Sequence, residues 1–438
     1  MTKGTVSTNS QPEKAILVGI EIKGDRSPWS LDDSMNELAL LAQTAGAKVI
    51  GTLTQRLDRP TPSHLIGKGK LEELIELKDE LGANLVIFDE ELSSTQLRNL
   101  DQALGVNVLD RTGLILDIFA KRAHTHEGRL QVELAQQEYL LPRLAGLWTH
   151  LERTRGGIGT KGPGEKQLEY DRRMIESRIK RLKDEIEEVR KHRALHRQRR
   201  ENSGIPIVAL VGYTNAGKST LINALSRSGV FVEDKLFATL DPTTRRLTLP
   251  NNQDILISDT VGFIQKLPPT LVAAFKATLE ELSQADLLLH LLDITHPNAA
   301  QQGQTVDDIL EELGLGNKPR IIAVNKIDMP ARGIGLSGEE AVDWYVQQVG
   351  DSNGTVTPIS AAKGWGLERL LSLIADRVGN EMIDVTVEIP YTVPQLVDLF
   401  HQCGSIEHEE YTASGSVISG KIPKQLNPAF REYAHNRG

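Results

Sequence analysis

The sequence predicts an α/β protein built on parallel sheets, with a pair of long helices between two of its domains. Short β-rich apolar runs alternate with helical patterns over residues 14–122 and again over 205–379, which is typical of βα units in a parallel sheet. Between these regions, Leu and Ile recur at three-, four- and seven-residue spacing, as they do on packed helices. A chain of 438 residues exceeds one ordinary core, so we expect about three folding units.

Changes in composition and in helix and strand patterns divide the chain into five segments. The first residues are polar and lack any helix or strand pattern, which is typical of a disordered tail. The C-terminal stretch has the strand-like run VTVEIPY, then a helical pattern from about 394 to 403, then two further strand-like runs that end at GKIP. We predict a disordered tail at 1–13, an N-terminal α/β domain at 14–127, a helical antiparallel hairpin with a glycine-rich basic tip at 128–203, a second α/β domain at 204–379, and a small C-terminal α/β domain at 380–438.

The composition is that of a soluble globular protein, with 39% hydrophobic and 25% charged residues. The longest apolar runs fall short of the ~20 residues needed to cross a bilayer, and the N-terminal stretch does not resemble a signal segment. The single cysteine, Cys403, excludes an internal disulfide and a cysteine-based zinc cluster. We therefore expect a cytoplasmic protein with no membrane span. We also expect it to be monomeric.

Charge is distributed unevenly along the chain. The formal net charge is −9, yet residues 151–200 contain 16 Lys and Arg against 9 Asp and Glu. This segment therefore carries +7 and the remainder carries −16. A local basic field of this kind suits an anionic partner despite the acidic average.

The run GYTNAGKST at 212–220 follows the apolar stretch PIVALVG and precedes the helical LINAL. This is the strand–loop–helix context that the pattern G-x-x-x-x-G-K-S requires of a phosphate-binding loop. Gly212 and Gly217 let successive backbone N–H groups point at phosphate oxygens, and Lys218 can reach the outer phosphates. The hydroxyl of Ser219 can ligate Mg²⁺. A chance glycine turn is the alternative, and the flanking elements disfavour it.

A second motif, Asp259-Thr260-Val261-Gly262, ends the next strand-like run, DILIS. The carboxylate of Asp259 can hold Mg²⁺ through water, and the N–H of Gly262 can bind a terminal phosphate. A D-x-x-G pattern alone is weak because it is common by chance. Its position, at the end of a strand that follows the phosphate loop, gives it value.

The third motif, Asn325-Lys326-Ile327-Asp328, follows the strand-like RIIAV and determines the predicted base. The Asp328 carboxylate can accept both N–H groups on the guanine edge, whereas adenine would place a ring-nitrogen acceptor against it. The Lys326 stem would cover the base, and Asn325 would tie this loop to the phosphate loop. A later run, TVTPIS, delivers Ser360-Ala361-Ala362 for backbone contact with the base. Taken alone, the tetrapeptide could also be a solvated turn.

These four motifs resemble the TRAFAC class of GTPases, in its translation-factor-related branch, over residues 205–379. The resemblance implies hydrolysis of bound GTP with Mg²⁺ as cofactor. It also implies that FATLDPTTRR at 237–246 is a switch segment in which Thr239 senses Mg²⁺ and the terminal phosphate. The residues alone leave Thr243 and Thr244 as alternatives.

The resemblance gives a predicted site, residue by residue. Lys218, Thr239 and Gly262 are the predicted catalytic residues, and Ser219, Thr239 and, through water, Asp259 are the predicted Mg²⁺ ligands. The predicted GTP contacts are Gly212, Tyr213, Thr214, Asn215, Ala216, Gly217, Lys218, Ser219, Thr220, Phe237, Ala238, Thr239, Leu240, Asp241, Asp259, Thr260, Val261, Gly262, Asn325, Lys326, Ile327, Asp328, Ser360, Ala361 and Ala362.

Four positions bear on the rate of hydrolysis. Phe263 stands where many GTPases carry a Gln that orients the attacking water, and it cannot form a hydrogen bond, so we expect slow intrinsic turnover that a partner stimulates. Asn215 matches an Asn that helps to hold K⁺ near the phosphates in some GTPases of this class, which makes K⁺ a second candidate cofactor. An Asn that only shapes the loop is the alternative. Arg245 and Arg246 could supply a cation in cis, although surface solvation is favoured.

The hairpin tip GGIGTKGPGEK at 156–166 is glycine-rich but does not form a second nucleotide loop. Its flanks are helical, it lacks GK[ST], and Pro163 removes an N–H donor. Basic side chains and close-approaching backbone suit an RNA phosphate backbone, with a solvated turn as the alternative. The predicted RNA contacts are Arg153, Arg155, Gly156, Gly157, Lys161, Lys166, Arg172 and Arg173.

The stretch GGIGTKGPGEKQLEYDRR resembles the signature segment of the HflX family, and HLIGKGKLEEL, FDEELSSTQLRNL and DRTGLILDIFAKRAHTHEGRLQVELAQ are similar to that family as well. HflX proteins are ribosome-binding GTPases that engage the large subunit and help to split or rescue stalled ribosomes. The resemblance therefore implies that the large ribosomal subunit, its RNA, GTP and GDP are partners, and that ribosomes stimulate hydrolysis.

Two other functions are compatible with the residues. One is a GTPase that assembles the large subunit, which would bind precursor subunits. The other is an ATP-dependent RNA or ribosome remodeller with a second nucleotide site in the N-terminal domain, where HLIGKGK at 64–70 offers glycines and lysines near a helix start. That stretch lacks a Walker-type signature.

Overall fold

A computed structural model of the chain describes residues 12–24, 29–144, 163–201, 205–226, 236–237, 239–240, 243–266, 282–349, 355–379, 382–423 and 426–434. The side chains of 163–168, 192–201, 349, 379, 382 and 402–403 also lie outside the description. The described residues form two compact units, one up to Ile186 and one from Glu187 onward. No helix among them is long and apolar enough to span a bilayer.

The first unit contains a four-stranded sheet with strand order β2-β1-β3-β4, in which all pairings are parallel. Its elements are β1 (Lys14–Ile22), α1 (Leu31–Ala45), β2 (Lys48–Leu57), α2 (Lys68–Leu81), β3 (Leu85–Phe88), α3 (Ser94–Leu104), β4 (Asn107–Asp110) and α4 (Arg111–Arg122). The predicted alternation of strands and helices is confirmed. Ile16, Val86 and Phe88 are fully buried in one apolar core with residues of the flanking helices.

Local sequence sets the ends of these helices. The Ser93 hydroxyl accepts the Gln96 N–H, and the Gln96 side chain accepts the Ser93 N–H, which forms a capping box at the start of α3. Asp110 caps α4 by accepting the Gly113 N–H at 2.8 Å. Each of α1, α2 and α3 ends at a glycine in the left-handed conformation. These caps fix the strand ends that follow and precede the helices.

Buried charged side chains fill the carboxyl edge of this sheet. Arg111 pairs with Asp89 at 2.6 Å and also with Glu37, and all three side chains are buried. Arg143 lies 3.0 Å from Asp110, which is fully buried. Open α/β sheets bind ligands at this edge, and here paired side chains occupy it. Loss of one partner would cost about 3–5 kcal/mol because the other charge would stay buried.

Two helices follow this sheet, α5 (His126–Leu140) and the long α6 (Pro163–Glu201), with a 3₁₀ turn at Leu141–Arg143 after α5. Glu133 pairs with Arg178 at 2.6 Å and Glu138 pairs with Lys183 at 2.8 Å. Leu182 is fully buried. The two helices therefore contact each other through ion pairs.

The predicted hairpin tip lies mostly outside the described residues. Residues 145–162 are not described, and α6 begins at Pro163, so the proline and the residues after it open a helix. Proline is tolerated in the first turn of a helix because its missing N–H would have no partner there. The antiparallel arrangement and the continuation of the first helix to Trp148 stay predictions.

The second unit contains a six-stranded sheet with strand order β10-β9-β8-β5-β7-β6. All pairings are parallel except that between β6 and β7, which confirms the predicted mostly parallel sheet. Its elements are β5 (Ile207–Gly212), α7 (Lys218–Ser226), β6 (Thr243–Thr248), β7 (Asp254–Asp259), β8 (Leu287–Asp293), α8 (Ala299–Glu312), β9 (Arg320–Asn325), α9 (Asp328–Gly333), α10 (Gly338–Val349), β10 (Val356–Pro358) and α11 (Leu367–Gly379).

A smaller antiparallel sheet of order β11-β13-β12 follows in the same unit. Its elements are β11 (Met382–Pro390), α12 (Pro394–Cys403), β12 (Ser405–Tyr411), β13 (Gly415–Pro423) and α13 (Asn427–Phe430). Phe400 and Phe430 pack edge to face with ring centroids 5.5 Å apart. Ile205, just before β5, packs against this core. The predicted helix at 394–403 and its flanking strands are confirmed.

Candidate functional site

The loop between β5 and α7 requires glycine at two positions. Gly212 has φ 152° and Gly217 has φ 97°, values that favour glycine. A Cβ at Gly212 would lie 2.5 Å from the Leu291 carbonyl oxygen, and one at Gly217 would lie 2.3 Å from Asn325 Nδ2. The backbone therefore turns tightly here and lies against the neighbouring strand ends, at the N-terminus of α7.

Lys218, the first residue of α7, points back into this loop. Its ammonium donates to the carbonyl oxygens of Gly212 at 3.0 Å and Tyr213 at 2.9 Å, and its side chain is buried. Burial lowers the pKa of Lys218 to about 8, with the charge of Asp259 acting in the opposite direction. The loop thus holds a cation beside its row of backbone N–H groups, which suits a phosphate chain.

Three side-chain oxygens from separate segments converge beside Lys218. Ser219 Oγ lies 2.8 Å from Thr239 Oγ1, and both hydroxyls lie 2.8 Å from Asp259 Oδ2. The other carboxylate oxygen of Asp259 is buried and has no hydrogen-bond partner among the described residues. Hydroxyl and carboxylate oxygens are the ligands that Mg²⁺ prefers, so these residues fit a magnesium ion.

The same geometry distinguishes between the three candidate threonines. Thr239 meets Ser219 and Asp259, whereas Thr243 and Thr244 begin the antiparallel strand β6. The hydroxyl of Thr244 instead faces Ser258 Oγ at 3.5 Å. Of these three threonines, Thr239 alone lies at the oxygen cluster, and it is the one that the family resemblance favoured.

The segment after Asp259 is joined to the phosphate loop through its backbone. The Phe263 N–H donates to the Gly212 carbonyl at 3.1 Å, and the Thr214 N–H donates to the Phe263 carbonyl at 2.7 Å. A Cβ at Gly262 would lie 2.8 Å from Thr214 Cα and 3.0 Å from Lys218 Nζ. Glycine is therefore required where this segment passes over the lysine.

Aromatic residues reinforce these connections. Phe263 is buried, and the Tyr213 hydroxyl accepts the Gln265 N–H at 2.7 Å. The Phe237 N–H donates to the Thr214 hydroxyl at 2.9 Å, and Phe237 has a left-handed backbone with φ 54°. The segments around 237 and 263 are thus both bonded to the phosphate loop.

Asn325, at the end of β9, ties two further loops to the phosphate loop. Its Nδ2 donates to the Ala216 carbonyl at 2.8 Å, and its Oδ1 accepts the Ala361 N–H at 3.0 Å. The side chain is 2% exposed. Asp328 Oδ1 accepts the Ser360 hydroxyl at 2.7 Å, which sets the orientation of that carboxylate.

Asp293 contacts the loop Asn325–Asp328, which we call the base-side loop. No sequence motif predicted this contact. Lys326 Nζ lies 2.7 Å from Asp293 Oδ2, and Lys326 itself has a left-handed backbone with φ 66°. The one signal in the sequence is a carboxylate at the end of the buried strand β8. Strand pairing then places Asp293 beside Asn325.

The remaining predicted GTP contacts differ in burial, and two of them are not described. Thr220 and Leu240 flank the oxygen cluster in sequence, Val261 and Ile327 are buried, and Ala362 is exposed. Asn215 is exposed, with a left-handed φ of 61°. Ala238 and Asp241 lie outside the described residues, and Thr260 is buried beside Asp259.

The basic residues named from the sequence either pair with other side chains or are not described. Arg246 pairs with Asp254, and Arg245 approaches the Ser226 hydroxyl at 3.4 Å, so both contact side chains away from the phosphate loop. On α6, Arg172 pairs with Glu176 at 2.9 Å and Arg173 pairs with Glu169 at 2.7 Å. Arg153, Arg155, Gly156, Gly157, Lys161 and the Lys166 side chain lie outside the described residues.

Three family models match the chain. The model described as GTP-binding GTPase N-terminal matches residues 32–120, and that described as GTP-binding GTPase Middle Region matches 122–200. The model described as 50S ribosome-binding GTPase matches 207–326. Together with the parallel sheet and the phosphate loop after β5, these matches define the chain as a P-loop GTPase.

The chain is similar to one group of solved structures over most of its length and to curated proteins over nearly all of it. A crystal structure of SsGBP in complex with GDP is 27% identical, with 83% of this chain and 98% of that chain covered and a TM-score of 0.46. GTPase HflX of Escherichia coli strain K12 is 41% identical over 405 residues, which is 92% of each chain. GTPase HflX of Caldanaerobacter subterraneus subsp. tengcongensis is 47% identical over 421 residues, 96% of this chain and 94% of that protein. The chain belongs to the HflX family, as its signature segments predicted.

Proposed function

We propose that the protein is a GTP-hydrolysing switch that binds the large ribosomal subunit and splits or rescues stalled ribosomes. The observation that carries the proposal is the direct bonding of separate segments into one site. The phosphate loop, together with Ser219 in α7, bonds to Phe237 and Thr239 and to the end of β7. Through Asn325 it also bonds to the loops after β9 and β10. The match of residues 207–326 to a family of 50S ribosome-binding GTPases supports the ribosomal partner.

In this proposal the phosphate loop and Lys218 bind the phosphates, and Ser219 and Thr239 hold Mg²⁺, with Asp259 acting through water. Bound Mg²⁺ would neutralise charge that develops on the phosphate oxygens. The Gly262 N–H would contact the terminal phosphate, since the segment that carries it passes over Lys218 Nζ. Protein groups thus position the reactants and stabilise charge, while water is the nucleophile.

The base would be guanine. Asp328 would accept its two edge N–H groups, the Lys326 stem would cover its plane, and the loop from Ser360 to Ala362 would contact it through backbone groups. The Ser360 hydroxyl holds one oxygen of Asp328, which limits how that carboxylate can turn. A wrong base would leave buried polar groups unpaired, which disfavours it strongly.

Intrinsic hydrolysis would be slow, because Phe263 is buried and offers no group to orient water. Addition of ribosomes should therefore raise the GTPase rate, and a fast isolated enzyme would contradict this. The exposed Asn215 would hold K⁺. Replacement of K⁺ by Na⁺ should then slow hydrolysis, and equal rates would exclude the potassium role.

RNA contact would be made by the basic residues of the tip and of α6. Exposed i,i+4 ion pairs contribute at most about 0.5 kcal/mol, so Arg172 and Arg173 could exchange their glutamates for RNA phosphates at little cost. Loss of phosphate contacts lowers the salt dependence of binding as well as the affinity. Lys161→Ala should therefore weaken ribosome binding and flatten its salt dependence.

Nucleotide would gate this contact. Thr239 and Gly262 belong to the two segments bonded to the phosphate loop, so a terminal phosphate would order both and its loss would release them. Sedimentation through a sucrose gradient with ribosomes tests this. The protein should move with large subunits in a non-hydrolysable GTP analogue and remain at the top in GDP, and equal sedimentation in both would refute gating.

Two further outcomes bear on the alternatives. Sedimentation with precursor particles in place of mature subunits would favour an assembly GTPase. ATPase activity that survives Lys218→Ala would favour an ATP-dependent remodeller with a site near 64–70. In that stretch the Gly67 N–H donates to Gln55 Oε1 at 3.0 Å and Lys70 pairs with Glu73 at 2.9 Å. Both groups are thus bonded to other side chains of the protein.

We place the protein in the cytoplasm as a monomer, in keeping with a ribosomal partner.

A further inference from the structure

Asp293 uses both carboxylate oxygens, and one of them holds Lys326. Oδ2 lies 2.7 Å from Lys326 Nζ. Oδ1 accepts the Thr295 backbone N–H at 2.9 Å and the Thr295 hydroxyl at 2.6 Å. The carboxylate is therefore oriented by the turn after β8 before it meets the lysine.

The turn that carries Asp293 is itself joined to the base-side loop. The Ile294 N–H donates to the Asn325 carbonyl at 3.2 Å, and strand pairing places Asp293 opposite Asn325. Asp293 is buried, and Lys326 is only 26% exposed along its side chain. An ion pair shielded to this extent is less screened by solvent than one on an open surface.

Lys326 needs such support. A lysine stem has many rotamers, and fixing it costs about 2 kcal/mol of conformational entropy. The residue also sits in a left-handed backbone conformation, which is uncommon for a non-glycine residue. A carboxylate that holds the ammonium would fix the lysine side chain when the protein folds. Nucleotide binding would then lose less conformational entropy, because the stem would already be ordered.

We propose that Asp293 is a positioning residue of the guanine site. By holding the Lys326 ammonium, it fixes the aliphatic stem along the plane of the base and strengthens binding of GTP and GDP by the same factor. It does so without contact with the phosphates. The proposal rests on the proposed assignment of guanine to the loop Asn325–Asp328.

Asp293→Asn tests this with little change of shape. The amide oxygen still accepts both Thr295 bonds, while the charge that holds Lys326 is lost. We expect the Kd for GDP and for a GTP analogue to rise by the same factor, about tenfold, which corresponds to an ion pair of roughly 1.4 kcal/mol. The kcat at saturating GTP should not change, because the phosphates are untouched.

Asp307→Asn is the matched control. Asp307 also pairs with a basic residue of the same sheet, Arg320 in β9, but it does not contact the base-side loop in the described residues. Its Kd for GDP should equal that of the wild type. Melting temperatures of both variants separate a loss of affinity from a loss of folding.

A double-mutant cycle with Lys326→Met shows whether the effect passes through the lysine. Asp293→Asn should weaken GDP binding in the wild type and should have no further effect in Lys326→Met. An equal effect in both backgrounds, an unchanged Kd, or a tighter Kd in Asp293→Asn would each overturn the positioning role. If the wild type itself shows no preference for GDP over ADP, the guanine assignment fails instead, so the two failures are distinguishable.

Discussion

Replacement of Asn325 by Ala removes the side chain that joins three loops of the site. Two buried hydrogen bonds are lost, one to the Ala216 carbonyl and one from the Ala361 N–H. Each backbone group left unpaired in the interior costs about 1–3 kcal/mol. The total of about 2–6 kcal/mol is divided between the free energy of unfolding and the affinity for nucleotide, since the loops can relax apart to reach water.

Two assays measure the two parts. Urea denaturation without nucleotide gives the loss of unfolding free energy, and titration with fluorescent GDP gives the loss of affinity. Asn298→Ala is the matched control, because Asn298 immediately precedes α8, its side chain makes no cap bond, and its Nδ2 has no partner among the described residues. The reasoning is refuted if Asn325→Ala changes the summed free energy by no more than Asn298→Ala does.

Three more predictions concern other parts of the same unit. Gly217→Ala places a Cβ 2.3 Å from Asn325 Nδ2 at a φ of 97°, so GDP affinity should fall at least about tenfold, and an unchanged titration would contradict this. Tyr213→Phe leaves the Gln265 N–H without its acceptor, so that amide should exchange with deuterium faster, and equal protection would count against the bond. Burial lowers the pKa of His290 from 6.5 to about 4, so below pH 6.5 the unfolded chain binds a proton that the folded chain does not, and stability falls as pH falls toward 4. His290→Leu should therefore lose about 2 kcal/mol less unfolding free energy than wild type between pH 7 and pH 5, and parallel pH profiles would exclude this role.

The parallel sheets were predictable because their strands are buried on both faces. Such strands appear in the sequence as continuous apolar runs, unlike the alternating runs of half-exposed strands. RIIAV before Asn325 and PIVALV before Gly212 both carry this signal and both form central strands. Motifs at the ends of these runs therefore fall at the same edge of the sheet.

Contacts between distant residues could not be predicted in this way. Arg111 and Glu37 are 74 positions apart, and neither spacing nor composition pairs them. Lys326 was predicted to cover the base, but its partner Asp293 ends a different strand. Only the order of strands in the sheet brings the two together.

The choice among Thr239, Thr243 and Thr244 shows the same limit. All three lie within a few residues of one another, and each hydroxyl has the same chemistry. The pairing of β6 with β7 takes Thr243 and Thr244 into an edge strand. Thr239 lies before that strand and reaches Ser219 and Asp259.

The proposed guanine site rests most directly on Asp328, whose carboxylate would read the base. In xanthine a carbonyl oxygen replaces the 2-amino group, so an amide side chain that donates there would fit xanthine better than a carboxylate does. Binding of GDP, ADP and XDP to the wild type and to Asp328→Asn by titration calorimetry is the decisive measurement. We expect the wild type to prefer GDP over both other nucleotides and Asp328→Asn to prefer XDP over GDP. Equal binding of GDP and ADP by the wild type, or an unchanged preference in Asp328→Asn, would contradict a guanine site formed by these loops.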